Sequence, residues 1–268
     1  MAAAPAPIAG AASGRGAALQ AVPPAGRIRL ANEAAIVRAA ETVFARDGFR
    51  GASMAEIAAQ AGVAKANIHY YFRTKQQLYR AVLEGMLHDW LAETDGIRAD
   101  ADPAQALGAY VRAKMALAQI RPEASRVFAG EMLRGAPEMR DMLRGELREL
   151  VARKSAVIAG WIAQGRMAPV DPPHLFFTIW AATQTYADFA PQVRAVLGAR
   201  SLRGAAWQRA TDHVVSLVLR GCGLGDRVEA ASAAAAAPRR AAGGWRTPAA
   251  PHPSPPRLRE GNKTSRQG

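Results

Sequence analysis

The stretch SMAEIAAQAGVAKANIHYYF, residues 53 to 72, constrains the fold more than any other part of this 268-residue chain. Ser53 and Glu56 stand at the spacing with which a hydroxyl and a carboxylate satisfy the free amides of a helix start. Ile57, Ala58 and Ala61 give the segment that follows an inward face, and Gly62 supplies a tight bend before a second short segment. The spacing therefore predicts helix, three-residue turn, helix, with glycine at the bend, which is the helix-turn-helix arrangement. Upstream, Ile36, Ala40, Val43 and Phe44 form one stripe of a first helix expected to stop at Gly48.

On the second short helix, Val63, Ile68 and Phe72 fall on the side that packs inward, so Lys65, Ala66, Asn67, His69 and Tyr70 project outward. A helix that reads DNA needs such a surface. Short residues let its N-terminus approach base edges, an amide or a lysine bonds in the major groove, and hydroxyl or imidazole groups meet phosphates. Ser53 sits at a helix N-terminus, where phosphate binding is favoured, and Lys75 can hold the backbone electrostatically. A merely solvated polar helix would show the same polar face. The charge distribution favours DNA: residues 27 to 80 carry nine Lys/Arg against four Asp/Glu, residues 81 to 224 seventeen against fifteen, within an overall charge of +13.

The segment FARDGFRGASMAEIAAQAGVAKANIHYYFRTKQQLYRAVL carries a specific resemblance, and residues 27 to 80 resemble the DNA-binding domain of TetR-family transcriptional regulators. The chain departs from that pattern at Ala64, where the family usually has serine or another capping residue. It thereby forgoes a side-chain cap worth about 1 kcal/mol.

Between the termini the apolar residues recur at three and four, alanine, leucine, arginine and glutamate dominate, and proline falls at segment ends, so the fold is expected to be all-α. Helices are placed near 32 to 47, 54 to 61, 65 to 71, 75 to 95, 103 to 120, 123 to 134, 137 to 164, 172 to 189 and 204 to 221. No repeat of solenoid length is present. The expected organisation is a disordered leader over 1–26, a helix-turn-helix domain over 27–73, a helical ligand-binding and dimerisation domain over 74–224, and a disordered basic Pro/Ala-rich tail over 225–268. The tail's eight Lys/Arg against three Asp/Glu can add nonspecific DNA affinity or simply solubilise the chain. The leader lacks the basic start and leucine-rich block of a secretory signal, and no apolar run is long enough to span a bilayer, which together give a cytoplasmic expectation. Cys222, the one cysteine, excludes an intramolecular disulfide and reads as an idle thiol near a helix end.

RTKQQLYRAVLEGMLHDWLAET starts a helix behind Thr74 and Gln77, a second capping box, just where the DNA domain ends. Leu78, Val82, Met86 and Leu87 give it a packing stripe, with Trp90 and Leu91 near its far end. Such a rod can couple two sites provided it has two positions. In DPPHLFFTIWAATQTYADFAPQ, residues 171 to 192, Leu175, Phe176, Phe177, Ile179 and Trp180 make the helix apolar nearly all round, so it is expected to be buried. Gln184 stands four residues after Trp180 on the same face. A buried amide left unpaired costs about 1 to 3 kcal/mol, so a neighbouring backbone group, a water or a ligand must satisfy it. The ligand reading joins an indole on which a flat ring stacks to an amide that accepts from an imide N–H and donates to the adjacent carbonyl, the pair that uracil and thymine present. Asp188, a turn further on, would accept another ring N–H or orient a partner.

EASRVFAGEML, RKSAVIAGWIAQGRMAPVDPPHLFF and IWAATQTYADFAPQV resemble the ligand-binding domain of the TetR-family regulators of pyrimidine utilisation, and the resemblance runs from about residue 27 to 222. It implies a repressor of pyrimidine catabolism that releases its DNA on binding uracil or thymine, with a pocket formed by Trp90, Leu91, Trp180 and Gln184. A related regulator sensing another flat heterocycle is the alternative.

Enzyme chemistry has no support. The histidines at 69, 88, 174, 213 and 252 lack metal-ligand spacing, and no phosphate-binding glycine loop or nucleophile elbow is present. Glu131, Glu138 and Asp141 read as a solvated face or as ion pairs. A ligand-independent nucleoid protein would explain the charge but leave the pocket residues without a role. The helices at 172 to 189 and 204 to 221, the latter with Trp207, Val214, Val215, Leu217 and Val218, are the expected dimer-forming pair, and two recognition helices about a two-fold axis would read a palindromic operator.

Overall fold

The structure, a computed structural model, describes the backbone of residues 24–225 and the side chains of residues 29–225. Most of the leader and nearly all of the tail expected from the sequence lie outside the described residues. Among those described, every regular element is helical.

Helix α1 spans Pro24–Gly51, starting eight residues before the expected boundary and taking in residues 24 to 26 of the expected leader. Its first residue is a proline, whose missing N–H and fixed φ cost nothing there. Gly48, at φ 69° and ψ 176°, breaks the helical geometry where a stop was expected, and three residues then complete the element. Helix α2, Met54–Ala61, opens with the Glu56 N–H donating to Ser53 Oγ at 3.2 Å. The other half of the expected capping box is absent, because the Glu56 carboxylate turns to Arg46 on α1. Gly62 closes α2 in the left-handed region at φ 69°, and α3, Lys65–Tyr71, follows with no side-chain cap at Ala64. Helix α4, Lys75–Ala92, begins with the Gln77 N–H on Thr74 Oγ1 at 3.1 Å, while the Gln77 amide accepts from the Arg73 N–H at 3.0 Å. Its 18 residues give a rod of about 27 Å.

Helices α5, Pro103–Ile120, and α6, Pro122–Leu133, are joined through Arg121. The single helix expected over 137 to 164 is α7, Arg140–Met142, a π-turn, Leu143–Leu147, and α8, Arg148–Ala163, in unbroken succession. Then come α9, Pro172–Asp188, a short α10, Ala190–Val196, that the sequence reading missed, and α11, Ala205–Gly221.

Two groups of buried side chains organise these helices. The first joins Ile36 and Phe44 of α1, Ile57 of α2 and Ile68 of α3 to Leu78, Val82 and Met86 of α4 and to Val127 and Phe128 of α6. The second gathers Leu107, Val111 and Met115 of α5, Ile158 and Trp161 of α8, Phe176 and Ile179 of α9, and Val214 and Val218 of α11. Helix α4 thus shares one core with the helix-turn-helix, and its far end, at Trp90 and Leu91, meets the other helices. Helix α9 is not buried all round as expected: Phe177 is 51% exposed, and Thr178, Ala181 and Thr185 continue that open face. Apolar composition alone cannot separate a buried helix from one with an apolar outer face.

Candidate functional site

The candidate residues lie on two surfaces. On α3, Lys65, Ala66, Asn67, His69 and Tyr70 are all exposed, while Ile68 and Phe72 are buried, so the face assignment made from the sequence holds. The ring of Tyr70 packs edge-on against Tyr71 at 5.3 Å, and Asn32 of α1 donates to the Tyr71 hydroxyl at 3.1 Å, which ties α3 to the first helix. His69 Nδ1 lies 3.4 Å from the Arg73 carbonyl. Ser53 is exposed at the start of α2, with its oxygen engaged by the helix cap. Lys75 is half-buried: its ammonium donates to the carbonyls of Ala52 at 2.7 Å and Arg50 at 3.3 Å and lies 4.9 Å from the Phe49 ring centre. Two of its three protons are therefore spent holding the turn before α2.

The second surface is a cavity of about 210 Å³ between α4, α5, α6, the π-turn, α8 and α9. Its size is below that of drug-sized ligand sites, so it suits a small molecule. Trp90, Leu91, Trp180 and Gln184 all line it, brought together from α4 and α9. Trp90 is fixed edge-on against Phe128 at 4.8 Å. Trp180 donates its indole N–H to the Tyr110 hydroxyl at 2.7 Å, an orientation set by α5. The Gln184 carboxamide has no hydrogen-bond partner among the described residues, so the neighbouring backbone group considered from the sequence does not satisfy it.

Of the two roles expected of it, Asp188 shows the bond to a partner. It is not part of the cavity wall; its carboxylate accepts from Ser125 Oγ at 2.6 Å on α6, and burial raises its pKa. One helical turn beyond Gln184 the face has already rotated towards α6. Asp188 acts on the site only at a distance, through the field it exerts on Lys114.

The sequence reading missed Lys114, Tyr110 and Thr94, all on the cavity wall. Lys114 is 1% exposed, and its ammonium nitrogen lies 3.7 Å from the centre of the Trp90 ring. Burial drives its pKa well below the ordinary lysine value, against the opposing pull of Asp188. The signal was present in the sequence. In YVRAKMALAQI, Lys114 stands four residues after Tyr110 and four before Ala118, on the apolar stripe of α5 rather than its polar face.

A junction of charges links the cavity helices to α1. Arg121, between α5 and α6, pairs with Glu41 of α1 and with Asp89 of α4, the residue next to Trp90. Glu131 is buried, accepting from the Tyr79 hydroxyl at 3.1 Å and from the Glu138 N–H at 2.6 Å and pairing with Arg134; Glu138 receives Arg80. These two carboxylates are ion-pair partners, one of the two roles read from the sequence. Among the described residues no cluster of His, Cys, Asp or Glu could hold a metal, and no helix is long and apolar enough to cross a membrane.

Comparison with known proteins agrees with this geometry. Residues 36–82 match the family model described as bacterial regulatory proteins, tetR family, and residues 83–225 match that of the YcdC-like protein, C-terminal region. The two regions meet inside α4. The HTH-type transcriptional regulator RutR of Escherichia coli (strain K12) is 45% identical over 191 residues, which cover 71% of this chain and 90% of that protein. A bacterial regulatory protein of the tetR family from Rhodococcus RHA1 superposes with a TM-score of 0.57 at 21% identity, over 70% of this chain and 95% of its own. AibR in complex with isovaleryl coenzyme A and operator DNA gives 0.55 at 20% identity, over 69% and 97%. These structures share the fold, and the chain's relatives are regulators rather than enzymes.

Proposed function

We propose, from the premise that this chain belongs to the TetR family and is a DNA-binding, ligand-responsive transcriptional regulator similar to RutR, that its effector is uracil or thymine and that it represses genes of pyrimidine catabolism. The observation that carries the reading is the cavity itself. Two tryptophans from different helices, an amide without a partner among the described residues and a buried lysine line a space of about 210 Å³. A planar ring stacks on indole faces, and the Gln184 amide can answer an imide N–H and its neighbouring carbonyl together.

In this proposal the protein works in the cytoplasm as a homodimer. Helices α9 and α11 supply the interface, which is supported by the outward apolar side chains of Phe177 and Leu217. A two-fold axis sets two copies of α3 against the half-sites of a palindromic operator. Lys65, Ala66, Asn67, His69 and Tyr70 face the groove, with Ser53 and Lys75 beside the phosphates. Pyrimidine binding displaces the Trp90 end of α4 and thereby spoils the half-site spacing. Such coupling is worth about 1 to 3 kcal/mol, or roughly 5- to 150-fold in operator affinity.

Calorimetric titration with uracil, thymine and uridine tests the effector. Saturable binding of the free bases is expected, with loss of binding in Gln184→Leu while operator binding persists. Absence of heat with all three ligands would remove the pyrimidine assignment and leave the regulator standing.

A further inference from the structure

We propose that Lys114 makes the cavity select a ring oxygen over a ring amino group, by donating a hydrogen bond to the exocyclic oxygen of a pyrimidine; the inference rests on the pyrimidine reading above. Its basis is a difference in polarity among the groups that reach the cavity. Gln184 carries a carbonyl and an amino group, and a half-turn of its terminal amide exchanges them, so it can satisfy an oxo or an amino substituent equally well. The Tyr110 hydroxyl is similarly adaptable, since it accepts the Trp180 indole proton and retains both a proton and a lone pair, whereas Thr94 commits its one proton to the Leu91 carbonyl at 2.7 Å and can only accept. A protonated lysine has three donors and no acceptor.

Lys114 is also the group most in need of a partner. It is 1% exposed, makes no hydrogen bond or ion pair within the described residues, and lies on the π face of Trp90 at the cavity wall, with the charge of Asp188 acting on it only from a distance. The indole face and the field of Asp188 favour the ammonium form, which burial opposes, and a ligand oxygen that accepts from the nitrogen would draw the proton onto it. A ligand oxygen placed on the open side of the nitrogen would supply the negative end of a dipole that this ammonium lacks. An exocyclic amino group in the same place would set donor against donor and leave the ammonium without a hydrogen-bond acceptor. The same nitrogen occupies one face of Trp90 at the cavity wall, so a ring stacked on the other tryptophan of the cavity, Trp180, would turn its substituents towards the lysine.

The experiment compares uracil with cytosine, which differ in the oxo or amino substituent at one ring carbon and in the proton on the adjacent ring nitrogen, a change that a turned Gln184 amide can follow, by calorimetry on the wild type, Lys114→Met and Lys114→Gln. The wild type is expected to prefer uracil by about 10- to 100-fold, the range of a hydrogen bond to a charged group. Both variants should lose most of that preference, chiefly through weaker uracil binding, while thermal melting and operator affinity report that they fold. The glutamine variant keeps a polar group but one of either polarity, so it too should become indifferent. A preference that survives in a folded variant, or a wild type that binds both bases alike, would overturn the role of Lys114 and leave the pyrimidine reading intact. A wild type that binds neither base takes down both.

Discussion

A lysine inside an apolar wall has a cost that depends on pH. Burial moves the Lys114 amine well below its ordinary value, so between that lowered value and 10.5 the unfolded chain holds a proton the folded chain does not. Stability therefore rises with pH across this window, with a slope of at most about 1.4 kcal/mol per unit. The raised values of Cys222, to about 11, and of Tyr79, to about 12, act in the opposite sense, above their ordinary 9.0 and 10.0. Subtracting a Lys114→Met variant removes these common contributions. Denaturant titrations without ligand should show the wild type gaining on the variant as pH rises towards 10.5, and parallel curves would mean that the amine is already charged and satisfied. At this scale the sequence was informative wherever a residue's role followed from its own helix. Trp180 and Gln184 share a face because they stand four apart. Asp188 was left with two roles, and the partner it engages, Ser125, could not be named because it comes from a helix 63 residues earlier in the chain, a relation no local pattern contains.

The elements were legible where capping chemistry marks them. Ser53, Thr74, Asp102 and Asp171 each accept from the backbone amide three residues on, and each begins a helix at its expected place within a residue. The boundary of α1 and the existence of α10 were not legible. Helix α10 has only seven residues, too few for periodicity to show, and it starts one residue after the end of α9. The π-turn at Leu143–Leu147 is equally silent in sequence, although it turns Leu143 and Leu147 into the cavity wall. The bend between α2 and α3 is the element whose cause can be tested most directly. Gly62 adopts φ 69° with nothing within 4 Å of an added Cβ, so Gly62→Ala meets no clash and feels the backbone alone. It should lower unfolding stability by about 1 to 2 kcal/mol, measured by chemical denaturation. A neutral result would show that the turn relaxes to another geometry, in which case α3 and operator affinity would shift with it.

On the scale of the whole molecule, the cavity and the reading helix have no side chain in common, so a ligand acts on DNA only through elements with two arrangements. Helix α4 is one such element, since it carries Trp90 at one end and packs with α1 to α3 at the other. Arg121 supplies a second connection, because it holds Asp89, beside Trp90, and Glu41, inside the α1 core, at the same time. The two carboxylates are not equivalent. The Glu41 side chain is 6% exposed, and removing its partner would strand a buried charge, so a change there mixes coupling with unfolding. The Asp89 side chain is 40% exposed, and its loss should cost less than about 1 kcal/mol. Asp89→Asn separates the two effects. It is expected to fold, to bind the proposed effector uracil and to bind operator nearly as the wild type does, yet to lose much of the factor by which the effector is proposed to weaken operator binding. Operator affinity measured with and without saturating uracil gives that factor directly for each protein. An unchanged ratio would exclude the Arg121 junction from the transmission and leave α4 itself as the carrier.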